Sequence, residues 1–322
     1  MTPSDSAAAP APTPDPDHPR WGYSDAELVA LPTAFRSDLF RDQVVLVSGA
    51  GSGLGKAIAV LYARLGAKLA TCGRTREKLE ASATLLRGLG AAVFIHPMTI
   101  REPDQVDGLM DAVFAHYGRL DVLVNNAGGQ SPGLAIDFSP RGWQAVIDTN
   151  LNGTWYMMQA AAKRWIARDV PGSIVNIVAT VWRGRPSVAH TCAARAGVIY
   201  LSKTVAIEWA PHRIRINCVA PGVVETSAFA LYPEAGRRTY ETEANPLRHP
   251  GDVQGIAEGC VYLSASSGKF ITGEVITVDG GQQLWGDLWP GGRPQYFENQ
   301  ASGAGNDPHH PHDSHDSQAG KA

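Results

Sequence analysis

Residues 44–68 run from an apolar, strand-like segment through Ser48-Gly49-Ala50-Gly51-Ser52-Gly53-Leu54-Gly55 into a helix-patterned stretch. Strand, glycine turn and helix in that order commit this part of the chain to a β-α unit whose turn faces an anion. Glycine permits the tight reversal and lets backbone N–H groups approach a diphosphate, while the helix beginning near Gly53 directs its positive end at the same charge. The spacing narrows the ligand. A Walker loop would place glycine at Ala50 and Ser or Thr at Ala57, and neither is present. The G-x-G-x-x-G spacing also fails, because Gly51 and Gly53 are followed by Lys56. What remains, Gly49-x-x-x-Gly53-x-Gly55, is read as a nucleotide-binding turn.

The chain has 322 residues, 44% of them hydrophobic and 18% charged, enough to bury the core of one large α/β domain. A formal net charge of −3 gives no overall basic surface, so nucleic acid is not expected as a partner, nor is an anionic membrane. No apolar run reaches membrane-spanning length, and the first twenty residues lack a basic start and an apolar h-region. A soluble, cytoplasmic protein is expected. Cys72, Cys192, Cys218 and Cys260 are widely spaced and read as buried thiols rather than disulfides or a metal site.

Strand-like runs at 43–47, 68–72, 91–95, 120–124, 173–178, 213–219 and 274–278 alternate with helical stretches at 76–88, 104–116, 142–167, 194–209 and 252–264. This pattern predicts an α/β fold, a single Rossmann-type doubly wound parallel sheet of about seven strands flanked by helices. The strands are near-continuous Val, Ile and Leu, as required when helices cover both faces. The domain is expected over 41–284, preceded by a disordered tail at 1–20 and an extension at 21–40. It is followed by an aromatic extension at 285–299 and a disordered His-rich tail at 300–322. His309, His310, His312 and His315 in that tail have no framework to fix a geometry, and no metal site is assigned.

Ligands of such sheets bind beyond the carboxyl ends of the strands. The second strand ends at Cys72-Gly73-Arg74-Thr75, where an NAD-binding protein would carry a carboxylate for the ribose 2′-OH. Gly73 leaves room and Arg74 offers a fork of donors suited to a 2′-phosphate, so NADP(H) is expected in preference to NAD(H).

Three further segments, Asn125-Asn126-Ala127-Gly128, Asp148-Thr149-Asn150-Leu151-Asn152-Gly153 and Asn217-Cys218-Val219-Ala220-Pro221-Gly222-Val223-Val224-Glu225-Thr226, bring a resemblance into view. Over about 40–284 the chain resembles the short-chain dehydrogenase/reductase family. The resemblance implies that the N-N-A-G turn supports the adenosine, that Asn150 lies in the active site, and that the P-G turn closes on a nicotinamide. The implied cofactor contacts are Gly49, Ser52, Gly53, Leu54, Gly55, Arg74, Asn126, Ala127, Gly128, Pro221, Gly222, Val224 and Thr226. Where the family often has an acidic residue for adenine, this chain has Thr99, so adenine recognition is expected from Thr99 and Ile100.

The catalytic half departs from the family. Carbonyl reduction there uses a tyrosine, a lysine four residues later, and a serine about a dozen residues earlier. Here Thr191 stands for the tyrosine, Arg195 for the lysine, and Val178-Ala179-Thr180 offers only Thr180 at the serine position. Tyr200 and Lys203 are one residue too close together and read as packing and surface. Threonine cannot act as the acid that protonates an alkoxide. Arginine cannot replace a lysine's titration, though it can hold a nicotinamide ribose and add positive field. Reduction of a C=C bond conjugated to a thioester makes a different demand, since hydride goes to Cβ and charge gathers on the thioester oxygen. Donors such as Thr191, Asn150 and Thr180 would suffice there, with water as proton source.

That logic agrees with a closer likeness. Asn126-Ala127-Gly128-Gly129-Gln130, Ala194-Arg195-Ala196-Gly197-Val198 and Arg215-Ile216-Asn217-Cys218 are similar to the branch holding peroxisomal trans-2-enoyl-CoA reductase and the 2,4-dienoyl-CoA reductases. The C-terminal Gly320-Lys321-Ala322 is not a peroxisomal address. The segment 228–245, with Phe229, Leu231, Tyr232, Arg237, Arg238 and Tyr240, corresponds to the family's substrate cover. Arg237 and Arg238 suit either coenzyme A phosphates or solvent. Trp285, Trp289, Tyr296 and Phe297 are expected to dock on that cover or on a neighbouring subunit.

The expected function is an NADPH-dependent reductase of an enoyl-CoA or dienoyl-CoA thioester, acting as a homo-oligomer, dimer or tetramer, by resemblance. One alternative is an alcohol dehydrogenase or ketoreductase with an unusual acid such as Tyr156 or water. The other is a non-catalytic NADP(H)-binding protein.

Overall fold

Seven parallel strands form the centre of the molecule, the inner ones buried on both faces and the two edge strands half-buried, and only helical crossovers can connect them. The computed structural model describes residues 22–226, 229 and 234–286, all within the unit Met1–Gly291. The expected tails, Leu231 and Tyr232 of the cover, and Trp289, Tyr296 and Phe297 lie outside the described residues.

In chain order the strands are β1 (Val44–Ser48), β2 (Lys68–Gly73), β3 (Val93–Pro97), β4 (Val122–Asn125), β5 (Gly172–Ile177), β6 (Ile214–Pro221) and β7 (Val275–Val278). Their order across the sheet is β3-β2-β1-β4-β5-β6-β7, every neighbouring pair parallel. The order reverses between β1 and β4, so the crevice for a ligand opens above their carboxyl ends. The helices are α1 (Asp25–Ala30), α2 (Gly53–Arg64), α3 (Arg76–Gly88), α4 (Pro103–Tyr117), α5 (Pro140–Ile147), α6 (Gly153–Ala167), α7 (Ala189–Glu208), α8 (Glu234–Thr242), α9 (Val253–Ser264) and α10 (Gln282–Trp285).

Alternate side chains of each strand feed two cores. Val45, Val47, Val124 and Val175 meet Ile58 and Tyr62 of α2 and Ile256 and Cys260 of α9. Val44, Leu46, Leu123 and Ile174 meet Met110 of α4, Met157 and Trp165 of α6, and Val205 of α7. Trp165 also donates from its indole N–H to the Leu120 carbonyl at 2.7 Å, which satisfies its one polar atom inside the core.

The single helix expected over 142–167 is two helices with a π-helical turn, Asp148–Asn152, between them. Gly153 explains the close packing that follows, because a Cβ there would fall 2.7 Å from Ile100 Cγ1. The helix expected over 194–209 begins earlier, at Ala189, which places Thr191 within its first turn. The N-terminal extension packs on the domain: Phe40 is fully buried against Tyr62, ring centroids 4.9 Å apart, and Arg64 Nη2 donates to the Leu31 carbonyl at 2.5 Å. Among the described residues no helix is long and apolar enough to cross a membrane. The four cysteines are free thiols, and burial pushes Cys72 up to about 12 and Cys218 to about 11.

Candidate active site

The glycine turn is shaped by close backbone approach. Gly49 has φ +70°, and a Cβ on it would sit 3.0 Å from both Ala127 Cα and Asn126 Nδ2. A Cβ on Gly55 would overlap Asn126 Nδ2 and the Gly49 carbonyl, so α2 can approach β1 and β4 only with glycine at this position. Asn126 fastens the two elements, donating from Nδ2 to the Ser48 carbonyl at 3.0 Å. Ser48 Oγ in turn accepts from the backbone N–H groups of Asn126 and Ala127, at 3.1 and 3.0 Å. Ser52 caps α2 in an extended conformation without spending its hydroxyl on a cap bond. The first turn of α2 therefore presents backbone donors and a free hydroxyl to the crevice.

Two adjoining cavities occupy the crevice. The first, about 350 Å³, is lined by Gly49, Ser52, Leu54, Gly55, Arg74, Lys78, Thr99, Ile100, Arg101, Asn126, Ala127 and Gly128, among others. No acidic side chain lines it among the described residues. Arg74 is exposed along its edge and makes no hydrogen bond or ion pair there, whereas Arg101 Nε is spent on Thr149 Oγ1 at 2.6 Å. The Thr99 N–H is also spent, donating to Gln105 Oε1 at 3.0 Å, and its hydroxyl accepts from the Arg101 N–H at 3.4 Å. Thr99 and Ile100, from which adenine recognition is expected, both line this cavity.

The second cavity, about 310 Å³, shares Leu54, Asn126 and Gly128 with the first and continues to Gln130, Ile177, Val178, Ala179, Arg185, Arg195, Pro221, Gly222, Val223, Val224, Thr226, Phe229 and Tyr240. Gly222 is held by donating its N–H to the Val278 carbonyl at 2.9 Å, and a Cβ on it would strike Asp279. Gly53, with φ +53°, faces a smaller cavity of about 190 Å³ on the other side of the turn, beside Tyr23, Lys56 and Glu225. There Lys56 pairs with Asp25, and Gly22 donates to Glu225 Oε1 at 2.7 Å.

Of the four catalytic candidates, Arg195 is the one among the described lining residues of these two cavities. It is buried, donates from Nη1 to the Ile177 carbonyl at 2.8 Å, and pairs with no carboxylate among the described residues. Burial lowers its pKa to about 10. Its Nη2 fills the space a Cβ on Gly128 would need. Asn150 is fully buried in the π-helical turn with its amide engaged: Oδ1 accepts from the Gly129 N–H at 2.9 Å, and Nδ2 donates to the Gly129 carbonyl at 2.8 Å. Thr191 donates its N–H to His190 Nδ1 at 2.8 Å, and its hydroxyl lies 3.4 Å from the same nitrogen. His190 is itself buried and stacked on Phe138 at 4.3 Å. Thr180 donates its N–H to the Pro221 carbonyl at 3.2 Å, and its buried hydroxyl has no partner among the described residues.

Tyr156, the alternative acid, lies in a groove between α4 and α6 with Pro103, Asp107 and Lys163, away from both cavities. Helical periodicity turned it from the site, and this overturns its candidacy. Lys203 lies over the exposed Tyr200 ring, 5.4 Å from its centroid, so that pair stays on the surface. Sequence reasoning missed Arg185, Lys78 and Gln130 as lining residues, and gave Tyr240 only as part of a cover. A loop or an incoming helix carries each of them to the crevice, and no spacing rule in the sequence encodes that.

The comparisons with known proteins agree with this geometry. The family model described as enoyl-(acyl carrier protein) reductase matches residues 49–283. A probable 2,4-dienoyl-CoA reductase of Bacillus subtilis is 35% identical over 246 residues, covering 75% of this chain and 97% of that protein. A 3-oxoacyl-(acyl-carrier-protein) reductase of Thermotoga maritima is also 35% identical, over 240 residues, covering 74% of this chain and 97% of that protein. Among solved structures, a citronellol catabolism dehydrogenase of Pseudomonas aeruginosa superposes with a TM-score of 0.70 at 34% identity, covering 78% of this chain and 99% of that one. A doubly wound sheet with a glycine turn at its switch point is the fold of a dinucleotide-dependent oxidoreductase. The chain belongs to the short-chain dehydrogenase/reductase family, whose members bind a nicotinamide cofactor. The glycine cradle, the unspent Ser52 hydroxyl and the two adjoining cavities fit that cofactor.

Proposed function

We propose that this oxidoreductase uses NADPH to reduce the C=C bond of an enoyl-CoA or dienoyl-CoA thioester. The observation that carries the reading is the lining of the second cavity, which offers guanidinium groups and no carboxylate where the family's carbonyl reductases place a tyrosine and a lysine. When bound, the dihydronicotinamide supplies hydride. Gly49, Ser52, Leu54 and Gly55 cradle the diphosphate, Arg74 takes the 2′-phosphate, and Ala127, Gly128, Pro221, Gly222, Val224 and Thr226 enclose the remainder. Arg195 holds the nicotinamide ribose with the donors it does not spend on Ile177, and its charge favours electron density on the nearby thioester oxygen. Asn150 fixes Gly129, and His190 fixes Thr191, so both act as positioning residues behind the cavity wall. Water delivers the proton to Cα. The relatives named for dienoyl-CoA reduction support this reading, while the 3-oxoacyl reductase supports ketone reduction as its rival.

Tyr240 gives that rival a specific foothold, because its phenol ring reaches the cavity. A homo-oligomer assembled through the outer faces of α6 and α7, where Ile166 of α6 and Tyr200 and Ile207 of α7 are exposed, and a cytoplasmic location belong to the same proposal. The test is NADPH consumption with trans-2-enoyl-CoA and 2,4-dienoyl-CoA thioesters beside matched ketones. Turnover of thioesters alone supports C=C reduction, and turnover of ketones alone sinks it in favour of an acid such as Tyr240.

A further inference from the structure

Arg185 also lines the second cavity, and its position is set by a loop pinned at several points. Gly184 adopts φ +69° and donates its N–H to the Val181 carbonyl at 2.9 Å. Arg183 Nη1 reaches the carbonyls of Gln282 and Gly286, both at 3.3 Å. Gly133 donates to the Ser187 carbonyl at 2.9 Å, and the Arg185 carbonyl accepts from Cys192 Sγ at 3.7 Å. The backbone of Arg185 is thus held from β7's side, from the segment after β4 and from α7. The residue is half-buried, and its guanidinium makes no hydrogen bond or ion pair among the described residues.

Other arginines of the domain that are partly withdrawn from water are paired or bonded. Arg164 holds Asp107 and Asp111 at 2.9 and 2.7 Å, and Arg215 donates to the carbonyls of Leu263 and Gly268, each at 2.6 Å. Arg195 has at least the Ile177 carbonyl. Arg185 thus faces a cavity without any acidic lining residue among those described, and its charge has no protein partner among them. Glu225, the nearby acid of the loop after β6, is turned into the smaller cavity and accepts from Gly22.

We propose that Arg185 is the receptor for a carboxylate carried by the substrate itself, so that the preferred acyl group bears a second, free acid in addition to its thioester. A carboxylate matches the planar fork of the guanidinium and supplies the missing counter-charge. The apolar wall formed by Ile177, Val178, Val223 and Phe229 then packs the carbon chain between the two ends. This inference specifies the substrate of the proposed reductase and rests on that reading.

The test compares trans-2-hexenoyl-CoA with its ω-carboxy analogue, two substrates with identical coenzyme A phosphates, on wild type, Arg185→Gln and Arg185→Lys. The expected result is at least a tenfold higher kcat/KM for the carboxy substrate in wild type. Arg185→Gln should remove that preference and Arg185→Lys restore part of it. A wild type indifferent to the carboxylate overturns the inference, and so does an equal loss on both substrates, which would assign Arg185 to the thioester or the phosphates. Calorimetric titration of the NADP⁺-saturated protein with adipate and with dimethyl adipate gives a readout independent of turnover. Adipate should bind the wild type at least tenfold more tightly than it binds Arg185→Gln, and the diester should not distinguish the two. If neither thioester is turned over but adipate binding behaves in this way, the reductase reading falls and the anion site stands. If adipate binds both proteins alike, the anion site falls.

Discussion

Arg195 of α7 donates from Nη1 to the carbonyl of Ile177 at 2.8 Å, tying a buried guanidinium to the last residue of β5. The bond leaves the positive charge inside the protein without a carboxylate among the described residues, and burial lowers its pKa to about 10. A depression of that size corresponds to roughly 3 kcal/mol of native-state cost. Its sign follows from the direction. Below pH 10 both folded and unfolded chains carry the charge and the cost is full; above about 10, up to the ordinary arginine value, the folded chain gives up its proton first and stability rises.

Arg195→Met should therefore stabilise the ligand-free protein, by about 1–3 kcal/mol after the lost hydrogen bond is counted, while weakening cofactor binding at least tenfold. Thermal melts with and without NADPH measure both effects. A lower melting temperature without cofactor would show that the buried charge is already compensated inside the protein.

Gly128 and Arg195 share one space. A Cβ on Gly128 would overlap Arg195 Nη2 and lie 3.0 Å from Asn150 Oδ1. Gly128→Ala should displace the guanidinium and cost roughly 10²-fold in kcat/KM, the scale expected for a misplacement of about 1 Å. The overpacking should cost about 1–3 kcal/mol in stability. Wild-type kinetics in this variant would mean that Arg195 is not used at the site.

The sheet was legible because its strands are continuous apolar runs separated by helical periodicity, and Val44–Ser48 with the glycine turn fixes where the crevice opens. The break between α5 and α6 was not legible. Asp148-Thr149-Asn150-Leu151-Asn152 is a polar stretch of helical character, and the partner its Asn150 amide meets, Gly129, is a tertiary contact 21 residues away in sequence. Motif spacing likewise located Arg195 at the second cavity, whereas Thr180 and Thr191 are not among its described lining residues, a placement that spacing along the chain does not encode. Arg185 and Tyr240 were hidden for the complementary reason, as their placement depends on loops and cover segments rather than on period.

Asn150→Ala removes both bonds to Gly129, at about 1 kcal/mol net each. If Asn150 acts by holding the loop, hydrogen exchange should accelerate at 126–130 and kcat should fall, with binding of the thioester little changed. A raised KM with unaltered exchange would instead place its amide on the substrate.

Arg74 stands at the rim of the first cavity with Lys78, and no acidic side chain among the described residues lines that cavity. A charged hydrogen bond is worth about 1.5–3 kcal/mol, or roughly 10–100-fold in binding. Arg74→Ala should lower the preference for NADPH over NADH by that factor, chiefly through a raised KM for NADPH, with NADH kinetics nearly unchanged. Because the 2′-phosphate site is exposed, the wild-type affinity for NADPH should fall with added salt, and the variant should respond less steeply. An Arg74→Ala protein that keeps its full NADPH preference would transfer the 2′-phosphate to Lys78 or Arg101, and the double variant with Lys78→Ala would then separate those two. Loss of NADH and NADPH binding together would mean that Arg74 supports the cleft itself and does not discriminate between the two cofactors.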